Sequence, residues 1–417
     1  MTPDYQARAQ TIMHRINELA SITETPGIIT RTFGTDAFIK AGMLVFQWMQ
    51  EAGLQTRVDS IGNVRGRLLS DHKHAKTLVI ASHIDSVVNA GKFDGPLGVL
   101  MGLDIIEQLI RQKTPLPFHI ELIAFSDEEG VRFHTTYLGS KVVAGSFDTG
   151  LLSKQDNTGA SLKHVLLSRG GGTNNFHSDA IPANDWLCYF EIHIEQGPVL
   201  YEKDLPVAIV TAIAGQKRVA ITFKGEAGHA GTVPMHMRKD ALSAASEFIL
   251  AAEKIAANHP HHVVATVGKL DISHAASNVI PGEVNCTLDV RSADETVLSS
   301  FYSDLEQLAQ EICSRRGIDL EWKPVQETSA VICDPTLNEL LANAIQQSGH
   351  EVIELVSGAG HDAVAVAPVS PVAMLFVRCF KGISHNPLEN VELKDIAAAV
   401  EVSDKFINYL TQKYNQG

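Results

Sequence analysis

The sequence is poor in cysteine and contains no paired cysteine motif. Its five cysteines, among 417 residues, are scattered, odd in number and never spaced as CxxC. This distribution argues against a disulfide framework and against a zinc site built from thiolates. It predicts a reducing compartment, and we expect the protein to be cytoplasmic.

Long apolar runs and clusters of basic residues are also missing. No stretch approaches the ~20 apolar residues that a membrane-spanning helix needs. The amino-terminal segment MTPDYQARAQTIMHRINELA has no apolar signal core. The net charge is -14 without any run of Lys or Arg, which disfavours nucleic acid and anionic membranes as partners. We therefore expect no nucleic-acid partner and no membrane partner.

The length and composition are those of a soluble protein with two domains. Hydrophobic residues make up 45% of the chain and charged residues 20%, as in ordinary globular proteins. A chain of this length exceeds what a single hydrophobic core usually accommodates.

The amino-terminal part alternates between buried strands and a helix. TLVIASH (77–83) and FHIELIAF (118–125) are continuous apolar runs, typical of strands that are buried on both faces. A helical pattern over 97–111 separates them. This order predicts an α/β fold whose sheet has parallel members, and ligands bind at the carboxyl ends of such strands.

The middle of the chain has a different pattern. Strands are predicted at 219–226, 263–272, 283–292 and 318–327, and helices at 239–257 and 294–315. The order β-α-β-β-α-β is that of a ferredoxin-like α+β unit. We therefore predict an inserted domain over 213–328, and a discontinuous catalytic domain formed by 1–212 and 329–417.

Histidines and carboxylates recur at or just after the ends of predicted strands. Imidazole and carboxylate without thiolate suit Zn, Mn, Co or Ni, and the ligand types do not choose among them. Four segments carry these residues: His83-Ile84-Asp85 with Asp94-Gly95, Asp127-Glu128-Glu129-Gly130, His193-Ile194-Glu195-Gln196-Gly197, and Ser384-His385-Asn386-Pro387.

A centre with two divalent metal ions needs one bridging carboxylate and further ligands on each side. Asp94 is the candidate bridge, with His83 and His193 on one ion. Glu129 and His385 complete the other ion.

The neighbouring acids have separate expected roles. We expect the Asp85 carboxylate to accept the N–H of His83 and so fix its tautomer. Glu128 is then the free general base, which takes a proton from the attacking water and passes it to the leaving nitrogen.

Each of these residues taken singly has a plainer interpretation. A buried histidine in an apolar strand is more often a hydrogen-bonded core residue. Asp94 in FDGPLG fits a turn, and Glu128-Glu129 fits a solvated loop. The combination favours a metal site, because unpaired charges at one sheet edge would be costly to bury.

A series of motifs, from about residue 20 to the end of the chain, resembles one known family. In order, they are HID, KFDGPLGVL, FSDEEGVRF, LGS, HIEQGPVLY, GEAGHAGTVPM, SNVIPGE, LDVRS, SGAGHDA and ISHNPLE. Together they resemble the hydantoinase/carbamoylase branch of the M20 metallopeptidase-like amidohydrolases. This branch includes allantoate amidohydrolases, N-carbamoyl-L-amino-acid hydrolases, ureidoglycolate hydrolases and β-ureidopropionases. HIEQGPVL and SGAGHDA are specific to it.

The resemblance implies a metal-dependent exopeptidase-like catalytic domain, with helices on both faces of a mixed sheet. It also implies that the inserted domain acts as a lid and as the surface of a homodimer. The five expected ligands, and Glu128 as base, lie at the positions that similar enzymes use.

The implied substrate is a small ureido acid, with a carboxylate and a planar carbamoyl group. Arg291 is the candidate anchor for the carboxylate. Asn278 and Gln196 offer amide groups, and His229 would polarise the scissile carbonyl or stabilise its oxyanion. The backbone N–H groups of a flexible turn could also approach the substrate, namely those of Gly358, Ala359 and Gly360.

Some of these assignments have structural alternatives. Without the resemblance, Arg291 fits a surface ion pair and Asn278 a turn residue. His361-Asp362 fits a helix cap with a supporting role. Val233, and the bulky basic segment 378–382, depart from the usual pattern of the branch. The segment is expected to reshape the pocket mouth.

The predicted function is hydrolysis of the ureido C–N bond, with release of ammonia and CO2. Allantoate and N-carbamoyl-L-amino acids are the leading substrates. One alternative is a dipeptidase or aminoacylase of the same fold. Another is a metal-binding protein without turnover, against which the Glu128-Glu129 pair argues.

Overall fold

The computed structural model describes residues 4–415 and divides the chain into two compact units. The first unit comprises Met1–Thr211 and Cys333–Gly417, and the second comprises Ala212–Ile332. The sequence-based boundaries lay at 212/213 and 328/329.

Each unit has its own strands and helices. The strands are β1 (Gln55–Val58), β2 (Val64–Leu68), β3 (Thr77–His83), β4 (His119–Phe125), β5 (Trp186–Ile194), β6 (Val207–Ile213), β7 (Gly215–Lys224), β8 (Gly228–His229), β9 (Val263–Ile272), β10 (Val279–Ile280), β11 (Glu283–Ser292), β12 (Asp319–Thr328), β13 (Val331–Ile332), β14 (Glu354–Ser357) and β15 (Val372–Val377). The helices are α1 (Tyr5–Ala20), α2 (Asp36–Glu51), α3 (Pro96–Gln112), α4 (Leu138–Val143), α5 (Leu162–Ser168), α6 (Phe176–Asp179), α7 (Val199–Lys203), α8 (Ala241–Ala257), α9 (Glu295–Arg316), α10 (Pro335–Gln347), α11 (Ala363–Val366) and α12 (Leu393–Asn415). Within residues 4–415, none of these helices is both long enough and apolar enough to cross a bilayer.

A nine-stranded mixed sheet forms the centre of the first unit. Its order is β1-β2-β4-β3-β5-β15-β6-β13, and β14 pairs with β6. The inner strands β4, β3, β5 and β15 are parallel, whereas the flanking pairs β1/β2, β2/β4, β15/β6 and β6/β13 are antiparallel. Every residue of β3, β5 and β15 is buried, as expected of continuous apolar runs inside a parallel sheet. This sheet, with its helices, confirms the predicted α/β class.

The sheet aligns the carboxyl ends of its parallel strands. His83 is the last residue of β3, and His193 is the last but one of β5. Asp127 follows the end of β4 by two residues. The predicted ligands on these strands therefore lie at a common edge of the sheet.

The second unit is a four-stranded antiparallel sheet with two helices. Its sheet order is β12-β7-β11-β9, and α8 and α9 connect the strands in the predicted order β-α-β-β-α-β. This unit has a separate hydrophobic core that includes Phe223, Phe248 and Phe301. The structure adds a short ladder of β8 and β10 that the sequence pattern did not predict.

The chain leaves and re-enters the large sheet through neighbouring strands. β6 and β13 pair antiparallel, with Ile213 opposite Val331. Just beyond this pair, the backbone N–H of Cys333 donates to the carbonyl of Thr211 at 3.0 Å.

Candidate metal centre

A glycine allows the loop before α3 to approach the end of β3. Asp94 lies in this loop, and Gly95 caps α3 with a φ of 85°. A Cβ atom on Gly95 would lie 2.6 Å from the ring of His83. Only glycine therefore combines this backbone conformation with such a close approach.

Asp94 lies between imidazoles from three separate segments. Its Oδ1 atom is 3.1 Å from Nε2 of His193 and 3.8 Å from Nε2 of His83. Its Oδ2 atom is 3.0 Å from Nε2 of His385, which in turn is 3.5 Å from Oε1 of Glu129. The two oxygens of one carboxylate thus face different sets of side chains, which is the arrangement that a bridging ligand requires.

Three overlapping groups of potential ligands meet at this point. Within each group, one ligand atom per residue lies within 4.8 Å of the others. Across residues 4–415, the groups are His83 with Asp94 and His193, Asp94 with Glu129 and His385, and His83 with Glu128 and Glu129. The first two match the two ligand sets expected from the sequence.

Backbone carbonyl groups orient two of the imidazoles. Nδ1 of His193 lies 2.9 Å from the carbonyl oxygen of Ile194, and Nδ1 of His83 lies 3.2 Å from that of Asp85. A proton on Nδ1 leaves Nε2 free to face Asp94. The sequence pattern predicted that the Asp85 carboxylate accepts the His83 proton. That expectation was wrong, because the carboxylate is 3.7 Å from Nδ1 and the backbone oxygen is closer.

The Asp85 carboxylate instead holds the loop that carries the paired glutamates. Its Oδ1 accepts from the backbone N–H of Glu128 at 3.1 Å, and its Oδ2 from that of Glu129 at 3.2 Å. Asp127, just before them, has a φ of 55°, a conformation that costs energy for a non-glycine residue. Asp85 thereby fixes the direction of both glutamates.

Arg31 is a buried cation near Asp85 that no sequence pattern revealed. It is 1% exposed, and its Nε donates to the carbonyl of Ile84 at 2.6 Å. Burial lowers its pKa to about 10, and the negative charge of Asp85 opposes that shift. A lone Arg in the stretch IITRTF gives no sequence signal for such a position.

The acids and histidines of the cluster shift one another's pKa values. Burial, reinforced by Glu129 and then Asp362, raises the pKa of Glu128 well above its usual value. Burial and the charge of Asp94 raise the pKa of Glu129 to about 8. Burial also acts to raise the pKa of Asp94, but hydrogen bonds from His193 and His385 hold it well below its usual value.

This concentration of buried carboxylates fits a bound cation. Burial and the negative charges of neighbouring carboxylates favour the neutral forms of Glu128 and Glu129. Positive charge placed among them would relieve both effects. The donor set of imidazole and carboxylate suits a divalent transition metal.

Further side chains secure Asp94 from the side of His385. Nε2 of Gln196 lies 2.9 Å from Oδ2 of Asp94, and Oγ of Ser384 lies 3.0 Å from the same atom. The structure therefore places Gln196, an expected substrate contact, on the candidate bridging carboxylate. Glu389 contacts the same region and was not identified from the sequence, although it ends the motif ISHNPLE.

Ser357 and Tyr137 contact the glycine-rich turn 358–360 in the first unit. Oγ of Ser357 donates to the carbonyl of Ala359 at 2.9 Å, and it lies 2.7 Å from Nε2 of His361. The phenol oxygen of Tyr137 occupies the space that a Cβ of Gly360 would need. The side chain of Tyr137 therefore packs against Gly360. The proposed substrate contacts of the Gly358 and Ala359 amides stay predictions.

Asp362 is a buried carboxylate next to this turn. It stands at the N-cap position of α11, but its side chain makes no capping hydrogen bond. The helix-cap alternative is therefore confirmed for the position of Asp362 but involves no bond from its side chain. Both carboxylate oxygens are buried, and burial, with the charge of Glu191, raises the pKa of Asp362 well above its usual value, although a hydrogen bond with Ser140 opposes this shift. His361 packs edge-on against His193, with 4.5 Å between ring centroids.

The remaining expected substrate contacts lie in the second unit. His229 is exposed in β8, where it pairs with Val279, and the carbonyl of Asn278 accepts from Ala230 at 2.9 Å. Nε of Arg291 in β11 lies 2.9 Å from Oδ1 of Asp289. An ion pair of this kind was the alternative to a substrate contact for Arg291. The substrate roles of these residues remain predictions.

The basic segment 378–382 begins with a buried structural arginine. Arg378 is 7% exposed, and its guanidinium binds the Asp395 carboxylate at 3.0 and 2.6 Å and also contacts Asp204. The arginine of this segment therefore joins the end of β15 to α12.

Comparisons with known proteins agree with one another. The profile of peptidase family M20/M25/M40 matches residues 79–409. Allantoate deiminase 1 of Glycine max is 38% identical over 95% of this chain and 88% of its own length. The N-carbamoyl-L-amino acid amidohydrolase of Geobacillus stearothermophilus is 36% identical over 95% of this chain and 97% of its own. The crystal structure of an amidase of the hydantoinase/carbamoylase family from Burkholderia multivorans superposes with a TM-score of 0.89 at 33% identity, covering 97% of this chain and 98% of that one.

Proposed function

The chain belongs to peptidase family M20/M25/M40, and we propose that it is a metal-dependent amidohydrolase that cleaves the ureido C–N bond of a small carboxylated substrate. The observation that carries this proposal is the position of Asp94, whose two oxygens face His193 and His385 at 3.1 and 3.0 Å. The relatives named allantoate deiminase and N-carbamoyl-L-amino acid amidohydrolase support the bond type.

The proposed centre holds two divalent ions, drawn from Zn, Mn, Co or Ni. His83 and His193 would bind one ion, and Glu129 and His385 the other, with Asp94 as the shared ligand. Divalent ions bound there would polarise the carbamoyl oxygen and lower the pKa of water. The family is metal-dependent, and the ligand groups within 4.8 Å of one another support this assignment.

Glu128 is the proposed general base. It is 8% exposed, and its backbone N–H is fixed by Asp85. Its carboxylate accepts a proton as water attacks the carbamoyl carbon, and returns it to the departing nitrogen. One ureido group and one water then give the free amine, CO2 and ammonia.

The second unit and the glycine-rich turn are proposed to hold the substrate. Arg291 would bind the substrate carboxylate, and Asn278 and Gln196 would contribute amide groups. His229 would stabilise the developing oxyanion. The backbone N–H groups that would contribute further are those of Gly358, Ala359 and Gly360.

We further propose a cytoplasmic homodimer that pairs through the inserted unit. The five cysteines are all buried and unpaired, which supports a reducing compartment. Sedimentation equilibrium of the full chain tests the dimer, and a monomer at micromolar concentration would contradict it.

The activity is tested by ammonia release from enzyme reconstituted with Mn or Zn. Allantoate, N-carbamoyl-L-amino acids, ureidoglycolate and β-ureidopropionate are compared with dipeptides and N-acyl amino acids. Turnover of a ureido acid that disappears with a chelator and returns with metal is the expected result. Cleavage of dipeptides or acyl amino acids alone would replace this proposal with the peptidase or aminoacylase alternative.

A further inference from the structure

We propose that Glu389 is a positioning residue that fixes the candidate bridging carboxylate of Asp94 relative to the segment of His385. The inference rests on the proposed function, because it concerns how the cation-binding side chains are held. Glu389 is 4% exposed, although it lies in a turn-rich stretch where most glutamates are solvated.

One oxygen of Glu389 binds the backbone of the loop that carries Asp94. Its Oε1 atom accepts from the N–H of Phe93 at 2.7 Å and from the N–H of Asp94 at 3.2 Å. Hydrogen bonds from two successive amides to one carboxylate oxygen restrict rotation of the intervening peptide. The orientation of that peptide in turn sets the direction in which the Asp94 side chain points.

The other oxygen binds the segment that carries His385. Oε2 of Glu389 lies 3.0 Å from Oγ of Ser384, which is also 3.0 Å from Oδ2 of Asp94. Glu389 thus connects the residue before His385 with the backbone of Asp94. Asp94 and His385 are far apart in the chain, and the Glu389 carboxylate contacts the segments of both.

The surrounding backbone is shaped to accommodate this side chain. A Cβ atom on Gly91 would overlap the carboxyl group and the Cβ atom of Glu389. Gly91 has no positive φ, so the close approach of Glu389, and not the backbone conformation, accounts for glycine there.

Glu389 is not itself placed as a ligand. Among residues 4–415, the groups whose ligand atoms lie within 4.8 Å of one another contain Asp94 and His385 but not Glu389. Its contribution therefore passes through the side chains that it orients. Removing such supporting partners typically lowers metal affinity by about 10- to 100-fold.

Two substitutions distinguish a positioning role of Glu389 from an effect of its negative charge. Glu389→Ala removes the acceptor of both backbone amides, and we expect the affinity for Mn to fall by about 10- to 100-fold. Glu389→Gln keeps a carbonyl oxygen for those amides, and we expect its affinity to stay within about threefold of the unchanged protein. Affinity is measured on the full chain by competition with a chromogenic chelator, and stoichiometry by elemental analysis.

Glu392→Ala is the matched control, because Glu392 is an exposed glutamate of the same segment that pairs with Lys394. It should bind Mn as the unchanged protein does. Unchanged affinity in Glu389→Ala would overturn the inference, as would an equal loss in Glu389→Gln and Glu389→Ala. If the unchanged protein binds no divalent ion, the proposed function itself fails, and that outcome is visible before any variant is compared.

If Glu389→Ala does not fold, Glu389→Asp replaces it as the test variant. The measurement is then the electron paramagnetic resonance spectrum of the bound Mn. The shorter side chain retains the charge but cannot reach both segments. We expect a changed coupling between the two ions, and a spectrum identical to that of the unchanged protein would refute the positioning role.

Discussion

At the scale of single residues, the paired glutamates after β4 have different surroundings. Glu129 forms a group with Asp94 and His385, whereas Glu128 is grouped only with His83 and Glu129. Asp85 holds the backbone N–H of both. Adjacent acids with one common anchor can therefore take separate tasks, one in binding a cation and the other in moving a proton.

Glu128→Gln tests this division. The amide cannot accept a proton, so kcat for ammonia release should fall by about 100- to 10,000-fold. The metal content, measured by elemental analysis, should not change, because Glu128 is not among the proposed ligands. Glu202→Gln, at an exposed glutamate in α7, should retain full activity. Loss of metal from Glu128→Gln would remove Glu128 from the role of base.

Single residues also show where the sequence was informative. His83, Asp94, His193 and His385 were recognisable because each stands in a motif that resembles one of the family, namely HID, KFDGPLGVL, HIEQGPVLY and ISHNPLE. The contact of Glu389 with Phe93 was not, because it joins segments whose separation of 296 residues leaves no local pattern. The partner of His83 was misjudged, because the choice between the backbone oxygen and the carboxylate of Asp85 depends on local backbone angles.

At the scale of elements, helix α3 packs closely against the sheet through two glycines. A Cβ on Gly98 would overlap the carbonyl oxygen of Ile192 in β5, and one on Gly102 would lie 2.7 Å from Leu122. These two glycines, one helical turn apart, form the face that contacts the strands. Asp94 immediately precedes Gly95, the N-cap of this helix, so the packing of α3 determines where Asp94 lies.

Gly98→Ala should therefore destabilise the first unit. The added methyl group meets backbone and cannot be accommodated by a change of rotamer, and overpacking of this kind costs about 1–3 kcal/mol. The midpoint of urea unfolding should fall, and metal affinity should fall with it. Gly268→Ala is the control, since a Cβ there meets nothing within 4 Å. Equal stability of the two variants would show that α3 can move away from the sheet.

Regular elements were predicted more accurately than short ones. The strands at 263–272 and 283–292 have the predicted bounds, because their apolar periodicity is long. The pairs of residues in β8, β10 and β13 were missed, since two residues carry no periodicity. Such ladders form only when a partner strand is already in place.

At the scale of the whole molecule, the buried charge of the centre couples stability to pH and to metal. Burial and Asp94 raise the pKa of Glu129 to about 8, from a usual value of 4.5. The hydrogen bond with Asp94 raises the pKa of His385 to about 9. For His193, burial lowers the pKa, but Asp94 more than offsets this and raises it to about 9. In all three cases the folded, metal-free protein holds protons more tightly than the unfolded chain does.

The metal-free protein should therefore lose stability as the pH rises. The contribution of Glu129 is complete below pH 4.5 and disappears through about pH 8, and that of the two histidines is complete below pH 6.5 and disappears through about pH 9. Bound metal requires the deprotonated ligands, so the metal-loaded protein should gain from the same rise. Thermal unfolding with and without chelator should show a difference in Tm that widens from about pH 7 to pH 9. A constant or narrowing difference would contradict this account.

β6 and β13 pair antiparallel. The rest of the second unit therefore connects two neighbouring strands, in the place that the loop of a β-hairpin takes. Ile213 and Val331 stand opposite each other, so an Asn-Gly turn could replace everything between them. A chain shortened in this way retains all five proposed ligands and Glu128, and it should fold and bind metal while losing the proposed carboxylate anchor Arg291. Other substrate-binding domains could therefore be inserted between β6 and β13 without interrupting the large sheet of the first unit.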